Sequence, residues 1–223
     1  MHISEKNRLI RELRKHDPLW HVYITIVAAI ILQLSLPESF AAGSRYFLPI
    51  LEVIFLLVLA ATNSRFLFVK HVIRRINSVF ILALVAFGNI YALQRVSTEL
   101  LAGGRISNGH ALILAAINIY LTNVIVFALL YWLIDGGGPS HRILKIKRRD
   151  FLFAQMTATD FVRSTWMPSF LDYLALSGNT ALAFSPTDTM PLTSRGKLLM
   201  LIQAFVSLVI VGLVAARAVN ILG

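Results

Sequence analysis

DYLALSGNTALAFSPTDTMPLT, residues 172–193, is the stretch on which the reading of this chain turns. Asp172, Ser177, Asn179, Thr180, Ser185, Thr187 and Asp188 make it too polar for an ordinary membrane-spanning helix. Leucine, alanine and phenylalanine between them make it too apolar for an ordinary loop. A long run without a charged residue follows at 198–216. The pattern predicts a short helix, a polar proline-containing turn at a membrane, and a final spanning helix, with the other helices built around that hairpin.

Working outward, the chain has 223 residues, of which 57% are hydrophobic and 14% charged. Apolar runs recur at 20–36, 47–62, 76–93, 111–134 and 198–216, and a bilayer core is crossed by roughly 20 helical residues. A water-soluble fold could not cover that much apolar surface. The fold class expected is all-α: a polytopic helical membrane protein of five firm transmembrane helices plus a short, polar, pore-helix-like hairpin segment. Pro37 ends the first run, and Pro49 sits in the first turn of the second, where proline is tolerated. Gly136-Gly137-Gly138-Pro139 breaks the chain after the fourth. Four regions result: a basic cytoplasmic or interfacial tail (1–19), a four-helix transmembrane region (20–134), a basic interfacial loop (135–165) and the hairpin with the last helix (166–223). In the tail, Leu9, Ile10 and Leu13 share a helical face, consistent with an interfacial amphipathic helix or with a solvated basic arm.

The formal net charge is +10. Its lysines and arginines lie in clusters between the apolar runs, which points to topology and anionic lipid headgroups and away from nucleic acid. Placing the N-terminus in the cytoplasm puts sixteen Lys and Arg inside and five outside if the hairpin helix crosses. The count is seventeen and four if it dips and returns. Charge thus orients the chain and leaves five or six spans open. With no cysteine, disulfides and thiolate chemistry are excluded. No cofactor or metal is expected, and the partners expected are the lipid bilayer and further copies of the chain.

Glu52 lies inside the second run, where an ionisable group is expensive and needs a partner or water. It reads as a proton or cation site, or as a neutral or paired carboxyl that locks helix packing. Arg217, just after the last run, is its natural partner if the hairpin dips, whereas Asp172 and Arg217 share one half of the membrane if it crosses. Enzyme signatures are missing: there is no GK[ST] after the glycines, no HExxH, and no histidine after Ser177 to serve as a downstream base. No catalytic residue is expected.

The hairpin resembles the pore helix, filter and inner helix of the two-helix potassium-channel module. Asp172-Tyr173-Leu174 matches the start of that pore helix and Thr180 its end, while Asp188 and Pro191 match the positions after the filter. Ala183, Phe184 and Ser185 stand where a Gly-Tyr-Gly would supply carbonyls to an ion, so the resemblance is to a pore loop with a degenerate filter. Across most of its length the chain is similar to a family of uncharacterised bacterial multi-pass membrane proteins of unknown function. The similarity is carried by TNVIVFALLYW and DGGGP within 122–139, AFSPTDTMPLT at 183–193 and ARAVNIL at 216–222. It implies a bacterial cytoplasmic (inner) membrane setting. Two functions are expected on these grounds: channel-like permeation of an ion or small solute by several subunits, or a non-transporting membrane scaffold or accessory subunit. In the first, Ser177, Asn179, Thr180, Ser185, Thr187 and Asp188 line the path. In the second, Ser185 or Thr187 caps the last helix.

Overall fold

The computed structural model of the chain describes residues 20–63, 70–101, 109–138, 142, 148–158, 160–161, 166–183 and 188–222. The basic tail lies outside the described residues. Six α-helices account for most of what is described: α1 (Trp20–Ser35), α2 (Phe47–Asn63), α3 (Lys70–Leu101), α4 (Gly109–Ile134), α5 (Phe170–Ala183) and α6 (Ser194–Leu222). The fold is all-α, as the apolar periodicity implies, with one small addition. Strands β1 (Phe151–Phe153) and β2 (Thr189–Pro191) pair antiparallel, Leu152 opposite Met190.

Among the described residues, three helices are long and apolar enough to cross a membrane: Ile76–Glu99, Ala111–Gly137 and Ser194–Ala215. The expectation of five firm spans is thereby reduced. Helix α1 has 16 residues and α2 has 17. At 1.5 Å per residue these reach about 25 Å, short of a core of about 30 Å. The surface of these helices is inverted relative to a water-soluble protein. Ile24, Val27 and Ile31 on α1, and Val79, Phe80, Phe87 and Ile90 on α3, are exposed. So are Leu198, Leu201, Ile202, Phe205, Leu208 and Val211, which form one stripe on α6. Glu52, Asn77, Asn89, Thr122, Asn123, Gln203 and Ser207 are buried. Apolar side chains outward and polar ones inward is the arrangement a lipid solvent favours.

The described residues divide into two compact units, 127–208 with 20–22, and 23–126 with 209–222. In the second unit α2 packs on α3. Gly88 marks the closest approach: a Cβ there would lie 3.0 Å from Leu48 Cδ1 and 3.4 Å from Gln33 Nε2. The guanidinium of Arg45 donates to the Leu34 carbonyl at the open end of α1, and Arg95 Nε donates to Ser39 O at 3.3 Å.

In the first unit each helix end has its own local device. Ser169 precedes α5 and Asp172 is its third residue. Asp172 Oδ2 accepts from Ser169 N (2.7 Å) and Ser169 Oγ (2.8 Å), the reciprocal half of a capping box. Thr193 caps α6 by accepting from Gly196 N at 3.2 Å. Helix α4 ends in a 3₁₀ turn, Asp135–Gly137, where Gly136, Gly137 and Gly138 have φ of 58°, 83° and 97°. Residues with a Cβ rarely adopt those angles, so the three glycines let the chain turn back over its own helix end.

Candidate functional site

Two carboxylates, both fully buried, are the centre of the first unit. Asp135 Oδ1 accepts from the backbone N–H of Asp150 (2.7 Å) and of Phe151 (3.2 Å). Its Oδ2 accepts from Arg149 Nη1 (3.0 Å) and from the Tyr173 hydroxyl (2.7 Å). Asp150 Oδ1 accepts from Thr193 Oγ1 (2.7 Å) and Arg195 Nε (2.6 Å). Its Oδ2 accepts from Arg195 Nη2 (2.7 Å) and Gly136 N (3.1 Å). Each aspartate thus binds backbone beside the other, and between them they tie together α4, β1, α5 and α6. Arg142 completes the clasp. It is buried, donates to the carbonyls of Trp132 and Asp135, and lies over the rings of Trp132 and Tyr173 at 5.7 and 5.0 Å.

Burial pushes the Asp150 carboxyl up, but the hydrogen bonds from Arg195, Thr193 and Gly136, with the nearby Arg195 charge, outweigh it. The group is held below the ordinary carboxylate range. Hydrogen bonds to a charged partner in fork geometry are the strong ones, and every donor here is aimed at a carboxylate oxygen. The chemistry is that of a fastener.

From this clasp α5 and α6 leave side by side. Tyr173 in the first turn of α5 touches Asp135, and Arg195 in the first turn of α6 touches Asp150. Farther along, the Gln203 amide nitrogen donates to Ser177 O (2.9 Å) and Ser177 Oγ (2.7 Å), and Tyr131 Oη donates to Gln203 Oε1 (2.6 Å). Contacts at the start and again about two turns in require the two helices to run in the same direction. By Thr189 the chain is back at the clasp: Thr189 pairs with Phe153, and Leu192 N donates to Asp150 O at 2.8 Å. The chain thus leaves the clasp in α5 and is back at it by Thr189.

The residues singled out in the hairpin are placed as follows. Asp172 caps α5. Ser177 and Thr180 are buried, the first bonded to Gln203 and the second donating to the Leu176 carbonyl at 2.8 Å. Asn179 is half-buried and Asp188 is exposed, accepting from Thr189 Oγ1 at 3.3 Å. Ser185 and Thr187 lie outside the described residues, as does the side chain of Arg217. Glu52 is fully buried and bonded to Gln33, not to any described cation. Among the described residues no group of three His, Cys, Asp or Glu side chains could hold a metal ion.

Sequence reading passed over Asp135, Asp150, Arg195 and Gln203. Asp135 carried a usable signal, an acid between a long apolar helix and three glycines. Gln203 carried another, an amide within a charge-free run. Asp150 and Arg195 sit among other charges and had none. No protein-family model, curated protein or solved structure matches the chain, so function must be argued from this geometry.

Proposed function

We propose that the chain is an integral membrane protein in which α5 is a re-entrant helix, and that copies of this hairpin assemble into a channel-like path for a small cation. The observation that carries the reading is the parallel departure of α5 and α6 from one clasp. Backbone that enters a membrane and turns back without crossing is tolerated only where protein or a water-filled cavity covers it. Helix α5 leaves an apolar flank uncovered in one copy, with Leu171, Ala175 and Leu182 exposed. Further copies are the natural cover. The C-terminal end of α5 points away from the clasp, and the partial negative charge of a helix C-terminus favours cations. Ser177 holds α5 to α6, and Thr180 is bonded within α5. The path is proposed to run past Asn179 and Asp188, in the manner of the pore-loop module that the hairpin resembles.

The topology proposed places the N-terminus and the clasp in the cytoplasm, because Arg142, Arg148, Arg149, Arg195 and Lys197 gather at the clasp end. The membrane is proposed to be a bacterial cytoplasmic membrane.

A second reading, a non-transporting scaffold, is favoured by a specific observation: every oxygen of the two clasp carboxylates is occupied from within the chain. Ion flux into liposomes by the purified protein separates the two. Voltage-dependent flux that Asp188→Ala and Asn179→Ala reduce, with folding unchanged, supports the path. No flux at any voltage removes it in favour of the scaffold.

A further inference from the structure

The second unit holds a carboxyl that neither reading uses. Glu52 lies in the second turn of α2, fully buried. Its Oε1 accepts from Gln33 Nε2 of α1 at 2.9 Å, and its Oε2 is buried without a hydrogen-bond partner. The pair is closed over by Gly88 of α3, where a Cβ would meet both Leu48 and the Gln33 amide. The described ionisable groups of the surrounding elements are engaged elsewhere or exposed. Arg45 is spent on the Leu34 carbonyl. Arg95 is spent on Ser39 O and on Glu99 at 4.0 Å. Glu38, on the 3₁₀ turn after α1, is exposed. Among the described residues no tyrosine donates to Glu52 Oε2.

Among the described residues an ionised carboxylate in such a place would have one amide donor and no counter-charge, the arrangement that burial penalises most. A metal cation would fare little better: one carboxyl and one amide fall well short of the 6–8 oxygens that calcium takes, or the octahedral set of magnesium. A proton needs only the free oxygen. We propose that Glu52 and Gln33 form a proton-binding site within the helical bundle: Glu52 holds a proton on Oε2 as a neutral acid, and Gln33 orients the carboxyl through Oε1. Glu52 can then take up and release one proton between α1, α2 and α3. The site is separate from the hairpin and stands whether or not the hairpin conducts.

The test uses dicyclohexylcarbodiimide, an apolar reagent that adds to protonated carboxyls, on the full-length protein in detergent, with peptide mass mapping. The expected result is an adduct on the peptide containing Glu52 that is lost at alkaline pH as the acid ionises. Glu52→Gln, which copies the neutral acid, is expected to lose the adduct and keep the wild-type melting temperature. Gln33→Leu is expected to keep the adduct and move its loss to higher pH, because the amide N–H favours the charged form. Labelling of the wild type needs no variant to fold. No adduct on Glu52 at any pH overturns the proposal. So does sodium abolishing the adduct at fixed pH, which would identify a bound metal cation, and so does a large fall in melting temperature for Glu52→Gln, which would show that the native state needs the charge.

Discussion

Asp150 gathers four directed hydrogen bonds onto two oxygen atoms, from Thr193, the Gly136 N–H and both arms of the Arg195 fork. Asp150→Asn keeps the shape, removes the charge and turns one acceptor into a donor facing other donors. Breaking a buried pair in this way costs about 3–5 kcal/mol. The low end applies, because the Arg195 side chain is 56% exposed and stays solvated without its partner. The expected outcome is a destabilisation of about 3 kcal/mol in denaturant unfolding followed by tryptophan fluorescence. The same residue sets an acid limit. Its folded-state pKa is lowered, so its contribution is fully present above the unfolded value of about 3.9 and is lost as pH falls through the lower folded value. An acid titration of stability should show that loss in the wild type and a flatter profile in Asp150→Asn. In the sequence Asp150 is one charge in the run KIKRRD. Nothing local shows that it is the one acid there to be buried.

At the scale of elements, α5 is the instructive case. Its start was legible: Ser169 and Asp172 stand at capping-box spacing, and the structure places the bond there. Its direction was not legible, because a 14-residue amphipathic helix fits a short crossing as well as a dip. Contacts far apart in sequence decide it, Tyr173 with Asp135 and Ser177 with Gln203. Since the chain has no cysteine, single-cysteine labelling is clean. Phe161, before α5, and Met190, after it, are 91% and 66% exposed. Phe161→Cys and Met190→Cys are expected to react with an impermeant maleimide from the same face of the membrane. Reaction from opposite faces would make α5 a crossing helix. The join between α5 and α6 is testable by Gln203→Leu, which strands the Tyr131 hydroxyl and removes the amide donor from Ser177. A loss of about 1–3 kcal/mol is expected, read from the thermal midpoint in detergent.

For the whole molecule, what matters is where apolar surface goes. The exposed stripe on α6 and the flank of α5 are unsuited to water. Gly212 has open space beside it, so the close helix contact its small side chain permits is not made within the described chain. A second copy is therefore the partner to look for. Cross-linking in membranes is expected to give a discrete oligomer, and Gly212→Leu to weaken it by filling the close-approach surface while leaving the thermal midpoint of the single chain unchanged.

Sequence alone determined the solvent of this protein and the nature of its elements. Apolar runs of spanning length, basic clusters between them and glycine or proline at their ends are short-range patterns that read out helix by helix. Tertiary structure alone decided which polar residues are fasteners. It turned Ser177 and Thr180 inward, joined Asp135 to Asp150 at the start of β1, brought the chain after α5 back to the clasp and left one oxygen of Glu52 bare. Those outcomes depend on pairings between residues up to 72 positions apart, as for Tyr131 and Gln203. A buried polar atom takes whichever partner the packing brings to it, and local spacing carries no record of that choice.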